Sequence, residues 1–201
     1  IVYIITSELS IGSAGKYFLF LAIVTALGNI GRLGFDYRAI RLTTFLNRGK
    51  DVRNESWKII NTIIKFYLIA LVVIIISNSF FDINISFVVA ACFMSLTMII
   101  GFMYQGLGKI TIMQLYHGVL FNALFILFYG VSRLNEIEFS QGYMKLMFII
   151  SWGIVLLIAL ITWSKKYKAV YDFEQLSIPK DIVTNKNGLS NNILMMTSQW
   201  G

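Results

Sequence analysis

Long runs of apolar residues, separated by short polar links, dominate the pattern of this chain. Each run is close to the ~20 residues that an α-helix needs to cross the hydrocarbon core of a bilayer. Strands do not reach this length, and in lipid the backbone must satisfy its own hydrogen bonds. The pattern therefore predicts an all-α polytopic membrane bundle. Its five complete spans are expected at Tyr17–Leu33, Ile59–Ile76, Ile85–Tyr104, Ile110–Val131 and Leu146–Trp163.

Composition supports a membrane protein and removes several other classes. Hydrophobic residues make up 57% of the 201 and charged residues 13%, against about 25% charged in soluble domains. The net charge of +7 does not indicate nucleic-acid binding, because the basic residues lie in short links between apolar runs. One cysteine and one histidine exclude a disulfide framework and a zinc site, and we expect no cofactor.

Both ends of the chain are apolar segments too short to span a bilayer. This predicts a piece of a longer protein. We expect a transmembrane bundle over residues 1–164, a polar cytoplasmic linker over 165–192, and the start of another membrane helix at 193–201.

The Lys and Arg residues of the links indicate orientation, because such residues accumulate on the cytoplasmic side. Thirteen lie on one side and only Lys16, Arg133 and Lys145 on the other, which places the first group in the cytoplasm. The thirteen are Arg32, Arg38, Arg41, Arg48, Lys50, Arg53, Lys58, Lys109, Lys165, Lys166, Lys168, Lys180 and Lys186.

One cytoplasmic link has the pattern of an amphipathic helix, from Phe35 to Leu46. Phe35, Ala39, Leu42 and Leu46 keep helical spacing, while Arg41 and Arg48 fall on the opposite side. This pattern predicts a helix that emerges from the membrane and lies at the lipid surface.

The spans contain no Asp or Glu, and the polar residues that they place in or near the membrane are basic or neutral. Exporters of cations generally need a carboxylate within the membrane, so this pattern favours an anionic cargo. No combination of residues suggests catalysis. The candidate substrate-binding residues are Arg32, Lys65, Gln114, His117 and Asn122.

Two interpretations apply to each basic candidate. Arg32 lies among Gly28, Gly31 and Gly34, where it either binds a phosphate bidentately or snorkels to lipid headgroups and sets topology. Lys65 lies about 9 Å inside its span, where it either lines a cavity or snorkels to the surface.

The polar residues of the fourth span fall on one side of an ideal helix. Gln114, His117, Gly118 and Asn122 occupy an arc of roughly 140°. They form either a polar stripe on a water-filled path or interhelical hydrogen bonds, worth about 0.6 kcal/mol each.

Several segments resemble one family. LGNIGRLGFDYRAIRL, with the basic link FLNRGKD, resembles the end of the second helix in bacterial polysaccharide exporters of the O-antigen flippase type. FMYQGLGKITIMQLYHGVLFN is similar to their link between helices four and five. SELSIGSAGKYFLF is similar to their outer loop before helix two, and ILMMTSQWG to the start of helix seven.

The resemblance implies the N-terminal six-helix half of an alternating-access transporter with about twelve or more helices. Such transporters belong to the multidrug/oligosaccharidyl-lipid/polysaccharide exporter superfamily. Such flippases move undecaprenyl-pyrophosphate-linked oligosaccharide to the outer leaflet of the bacterial inner membrane for O-antigen and related surface polysaccharides. By this resemblance, Arg32 and Lys65 are the positions that would meet the pyrophosphate. The partners it implies are membrane lipids and the polymerase or assembly proteins of the polysaccharide.

Three alternatives stay open at this point. A multidrug or cation antiporter of the same superfamily is disfavoured by the spans that lack acids. A membrane enzyme such as a polymerase is disfavoured by short outer links. A non-transporting scaffold of polysaccharide assembly agrees with the same pattern. We expect a transporter and not an enzyme.

Overall fold

The computed structural model describes residues 2–32, 34–45, 49–77 and 85–174, and these residues form helices without any strand. Residues 1–167 form one compact unit, and the second unit, 168–201, is described only to Glu174. The helix over residues 110–134 is continuous through a π turn. The elements are α1 Val2–Glu8, α2 Ile11–Gly31, α3 Phe35–Phe45, α4 Gly49–Ser77, α5 Ser86–Gly106, α6 Ile110–Gln114, the π turn Leu115–Val119, α7 Leu120–Leu134 and α8 Gln141–Glu174.

Five helical segments of the described ranges are long and apolar enough to cross a membrane. The predicted all-α polytopic membrane protein is therefore confirmed. The first span begins earlier than expected, at Ile11, because small and polar residues before Tyr17 interrupt the apolar pattern but not the helix. The segments are Ile11–Gly31, Val52–Ile76, Ser86–Gly106, Ile110–Leu134 and Gln141–Lys165.

Helix α5 is the centre of the bundle and the most completely buried of these spans. It packs against α2, α3, α4 and α6. Small residues narrow it where α2 approaches, among them the fully buried Ala91 and Ser95. On the α2 side, a Cβ on Gly28 would lie only 2.2 Å from Met94 Cε. Small residues let helices approach closely in lipid, where van der Waals packing drives association.

Helix α8 joins the bundle through aromatic side chains. Trp152 stacks on Phe121 of α7, with ring centroids 4.8 Å apart. Phe148 packs edge-on against Phe20 of α2, at 5.6 Å. Aromatic pairs of this kind add about 0.5–1.5 kcal/mol beyond the area that they bury. The aromatic contacts therefore hold α2, α7 and α8 together.

The outer surfaces of α4 and α8 are apolar and exposed, as expected of helices that face lipid. These residues are Leu68, Ile69, Val72 and Ile76 on α4, and Leu146, Ile150, Leu157 and Ile161 on α8.

The helix predicted over 35–46 is confirmed as α3, but its apolar face packs on protein. Ala39 and Leu42 are buried, and Thr44 Oγ1 donates to the carbonyl oxygen of Gly106 at 3.0 Å. A Cβ on Gly106 would lie 2.3 Å from the carbonyl oxygen of Ile40, so only glycine permits this approach. The prediction of a helix at the lipid surface did not anticipate this partner. Arg41 is exposed as expected, and Leu46 and Arg48 lie outside the described residues.

Helix α8 continues past Trp163 to Glu174, into the segment expected to be a polar cytoplasmic linker. The rest of that segment, 175–192, and the expected start of a further helix at 193–201 lie outside the described residues.

Candidate functional site: a charged cluster between α2, α3, α5 and the π turn

Arg32 follows the last turn of α2, and its side chain is largely enclosed, with 16% exposed. One guanidinium nitrogen, Nη1, lies 3.2 Å from Asp36 Oδ2, and Nη2 donates to Asn29 Oδ1. The guanidinium carbon lies 5.8 Å from the centroid of the Phe102 ring. Gly34, with φ of +70°, turns the chain so that α3 starts beside Arg32.

Asp36 lies in the first turn of α3, where the helix dipole favours a carboxylate. Burial raises the pKa of this carboxyl, and the positive charge of Arg32 opposes that shift. The pair is incompletely satisfied, because Arg32 Nε and Asp36 Oδ1 are buried without a hydrogen-bond partner among the described residues. Unsatisfied buried groups of this kind are uncommon in native proteins. The described residues therefore leave one donor and one acceptor of the pair unused.

His117 lies in the π turn, at the same end of the bundle. Its Nε2 is 3.3 Å from the carbonyl oxygen of Met98, and its ring meets Phe102 edge-on, with centroids 4.7 Å apart. A Cβ on Gly101 would lie 2.7 Å from Nε2, so this glycine makes room for the imidazole. Single π turns often mark functional positions in helices. Arg32 and His117 thus share one aromatic neighbour, Phe102.

A buried polar network fixes the last turn of α2 beside this cluster. Tyr67 Oη lies 3.1 Å from the carbonyl oxygen of Leu27 and 2.6 Å from Ser95 Oγ, and Ser95 Oγ lies 2.8 Å from the carbonyl oxygen of Gly28. The hydroxyl groups of Tyr67 and Ser95 have only two hydrogens for these three contacts. The contacts therefore share hydrogens and depend on one another. This network joins α2 to α4 and α5 and holds the turn from which Arg32 projects.

The structure separates the other three predicted residues from this cluster. Lys65, Gln114 and Asn122 are exposed, and within the described parts of the chain their side chains form no ion pair or hydrogen bond. His117 Nε2 approaches the carbonyl oxygen of Met98 on α5, whereas the side chains of Gln114 and Asn122 are exposed. The wider π turn changes the angular spacing, so the arc calculated for an ideal helix does not apply.

Sequence reasoning missed five participants in the site: Asn29, Asp36, Tyr67, Ser95 and Phe102. Asp36 carried a usable signal, because it follows Arg32 by four residues, the spacing of a helical ion pair. Ser95 and Tyr67 are polar groups within apolar runs, which indicates buried hydrogen bonds but not their partners. No group of His, Cys, Asp and Glu that could hold a metal ion occurs in the ranges that the structure describes.

Comparison of the chain with models of known protein families, with curated proteins and with solved structures finds no match in any of the three. The resemblance to polysaccharide exporters stays a prediction, and the candidate site is argued from its geometry.

Proposed function

We propose that this chain is the N-terminal half of a flippase that moves an undecaprenyl-pyrophosphate-linked oligosaccharide from the cytoplasmic to the outer leaflet. In this proposal the protein is a transporter and not an enzyme, resides in the bacterial inner membrane, and keeps its basic links in the cytoplasm. A second six-helix bundle would complete the cavity. Rocking of one bundle against the other would then give alternating access.

The observation that carries this proposal is the incomplete pairing of Arg32. Its guanidinium is held beside the end of a span by Asp36 and Asn29, with Nε unpartnered among the described residues. A guanidinium binds phosphate oxygens bidentately. We infer that Asp36 occupies Arg32 in the absence of cargo and that a pyrophosphate displaces this carboxylate.

The exchange keeps the charge of Arg32 compensated, by Asp36 in the empty site and by the pyrophosphate in the loaded one. Burying an unpaired ion costs several kcal/mol, so an empty site needs Asp36 and a loaded site does not. Lys65, Gln114 and Asn122 offer exposed polar groups on other faces, and Lys65 would add a second cation toward the cargo once the missing bundle encloses the path. The lipid tail stays in the bilayer while its charged head follows the polar surface.

Replacement of Arg32 in the full-length protein tests the proposal. Hydrogen bonds to charged groups are worth about 1.5–3 kcal/mol, so Arg32→Ala should reduce export roughly 10- to 100-fold. Arg32→Lys should retain part of the activity, because it keeps charge without the planar fork. The measurement is surface polysaccharide in a flippase-deficient strain, with insertion verified by immunoblotting of membranes.

Arg38→Ala is the matched control. Arg38 lies in the same link, 59% of its side chain is exposed, and it pairs with Glu55 at 3.4 Å. The Arg38→Ala variant should therefore export polysaccharide normally. Full activity of both Arg32 variants, or equal losses for Arg32→Ala and Arg38→Ala, would return Arg32 to a role in topology.

Asp36 specifically favours a second candidate, a cation antiporter of the same superfamily. A half-buried carboxylate, one oxygen of which has no partner in the part of the chain that the structure describes, can hold a cation or a proton. Ethidium efflux by the full-length protein that is lost in Asp36→Asn, together with no restoration of surface polysaccharide by the unmodified protein in the flippase-deficient strain, would select the antiporter over the flippase.

A further inference from the structure

A pocket of about 460 Å³ opens where α1 and α7 end. This is the end of the bundle opposite Arg32, because α1 ends at Glu8 just before α2 begins, whereas Arg32 follows the other end of α2. The pocket is lined by Glu8, Arg133, Glu136, Ile137, Glu138 and Phe139.

Internal contacts fix one wall of this pocket. Glu8, with 11% of its side chain exposed, accepts from Arg133 Nη2 at 2.6 Å and from Tyr129 Oη at 2.7 Å. The Arg133 guanidinium lies 5.8 Å from the Phe139 ring centroid, and the Tyr129 ring lies 5.2 Å from Phe139. The ion pair and the aromatic contacts therefore pre-organise a donor and an apolar surface.

The remaining polar groups of the lining are acceptors. Glu136 and Glu138 are exposed, and across the described ranges neither carboxylate forms an ion pair or hydrogen bond. The arrangement does not fit a metal ion, because no suitable group of His, Cys, Asp and Glu occurs in those ranges. Three carboxylates against one guanidinium also repel a phosphate.

An uncharged, hydroxyl-rich ring suits this lining. Its hydroxyl groups donate to the two glutamates and accept from Arg133, while its C–H face packs on Phe139 and Ile137. The volume falls within the usual range of small-molecule sites, about 300–1,000 Å³. The pocket lining combines an oriented donor and acceptors with an apolar surface. A simple cation would need only the acceptors.

We propose that this pocket binds neutral sugar residues, so that the proposed cargo meets a sugar site at one end of the bundle and a phosphate site at the other. This inference rests on the proposed function and adds a recognition site to it. The charge difference separates the two sites, since phosphate is attracted near Arg32 and repelled near Glu136 and Glu138.

Saturation-transfer-difference NMR on the purified full-length protein in detergent tests the proposal. The probes are free galactose, N-acetylglucosamine, glucuronic acid and spermidine. Galactose or N-acetylglucosamine should give signals, and the anionic glucuronic acid should give weaker ones. Hydrogen bonds to an ionised carboxylate are roughly twice as strong as those to a neutral amide, so Glu138→Gln should weaken the sugar signals roughly three- to tenfold. Phe139→Ala removes the apolar surface of the pocket and should weaken them as well.

Lys16→Gln is the matched control, because Lys16 is an exposed charge outside the lining and should leave the signals unchanged. Glu138→Gln changes an exposed side chain, so the fold should persist, and gel filtration verifies this. Absence of neutral-sugar signals, equal signals in the pocket variants, or signals from spermidine alone would overturn the proposal. Arg32→Ala should keep the sugar signals, so failure of the sugar site and failure of the flippase proposal are separate results.

Discussion

Gly31→Ala should destabilise the bundle through one contact, with the ring of Tyr67. A Cβ on Gly31 would lie 2.1 Å from Tyr67 Oη and 2.4 Å from Cζ, whereas ordinary van der Waals contact begins at 3.4 Å. The difference between 3.4 and 2.1 Å means that the two groups must separate by about 1.3 Å. Gly31 and Tyr67 are both buried, so neither can move into open space.

The magnitude follows from what holds Tyr67. Its hydroxyl contacts the carbonyl oxygen of Leu27 and Ser95 Oγ, and displacement of the ring breaks both contacts. Overpacking typically costs about 1–3 kcal/mol, and interhelical hydrogen bonds in membranes average about 0.6 kcal/mol each. We therefore expect Gly31→Ala to lower the free energy of unfolding by about 2–4 kcal/mol.

Titration of mixed micelles with SDS, followed by circular dichroism, measures this loss. Gly15→Ala is the control on the same helix, because nothing lies within 4 Å of its Cβ position, and it should change little. In a Tyr67→Ala background the clash is absent, so Gly31→Ala should then cost less than about 1 kcal/mol. An equal loss in both backgrounds would refute the assignment of the effect to Tyr67.

Two further predictions concern pH and a strained turn. Burial raises the pKa of the Asp36 carboxyl, so the folded state keeps its proton to higher pH than the unfolded chain. The stability that this proton contributes is fully present below the ordinary Asp pKa and is lost as pH rises through the raised value. Asp36→Asn should therefore flatten this part of a plot of melting temperature against pH. An unchanged slope would contradict the assignment to Asp36. Glu136 has φ of 54° in the turn where Ile137 N–H donates to the carbonyl oxygen of Ser132 at 3.0 Å, a conformation that suits glycine. Glu136→Gly should raise the free energy of unfolding by about 1 kcal/mol in the same SDS titration, and it should weaken the sugar signals. A loss of stability would show that the glutamate side chain offsets the strain of the left-handed backbone.

The spans and the existence of α3 were predictable because each depends on local spacing. The length of an apolar run predicts a transmembrane helix, and apolar residues at helical spacing predict an amphipathic helix. The partner of α3 was not predictable. Its buried face meets α5 at Gly106, which lies far along the chain, and an apolar stripe packs equally well on lipid or on protein.

The polar candidates show the same division. Arg32 was identified because a cation among glycines at the end of an apolar run is unusual, yet its neighbours come from separate elements. An ideal helical wheel does not include the π turn, and this turn separates His117 from Gln114 and Asn122. A list of polar residues therefore indicated the chemistry of the site but not its membership.

Hydrophobic patterning was enough to establish a bundle of membrane helices, because a backbone in lipid has no other way to satisfy its hydrogen bonds than within each helix. It does not determine which side chains meet, since lipid is as apolar as the helix surfaces and gives no preference for one face over another. The packed helices place Arg32 beside both Asp36 and the Phe102 ring, and His117 against the same ring. That pairing compensates the charge of Arg32, and it is a property of the assembled helices alone.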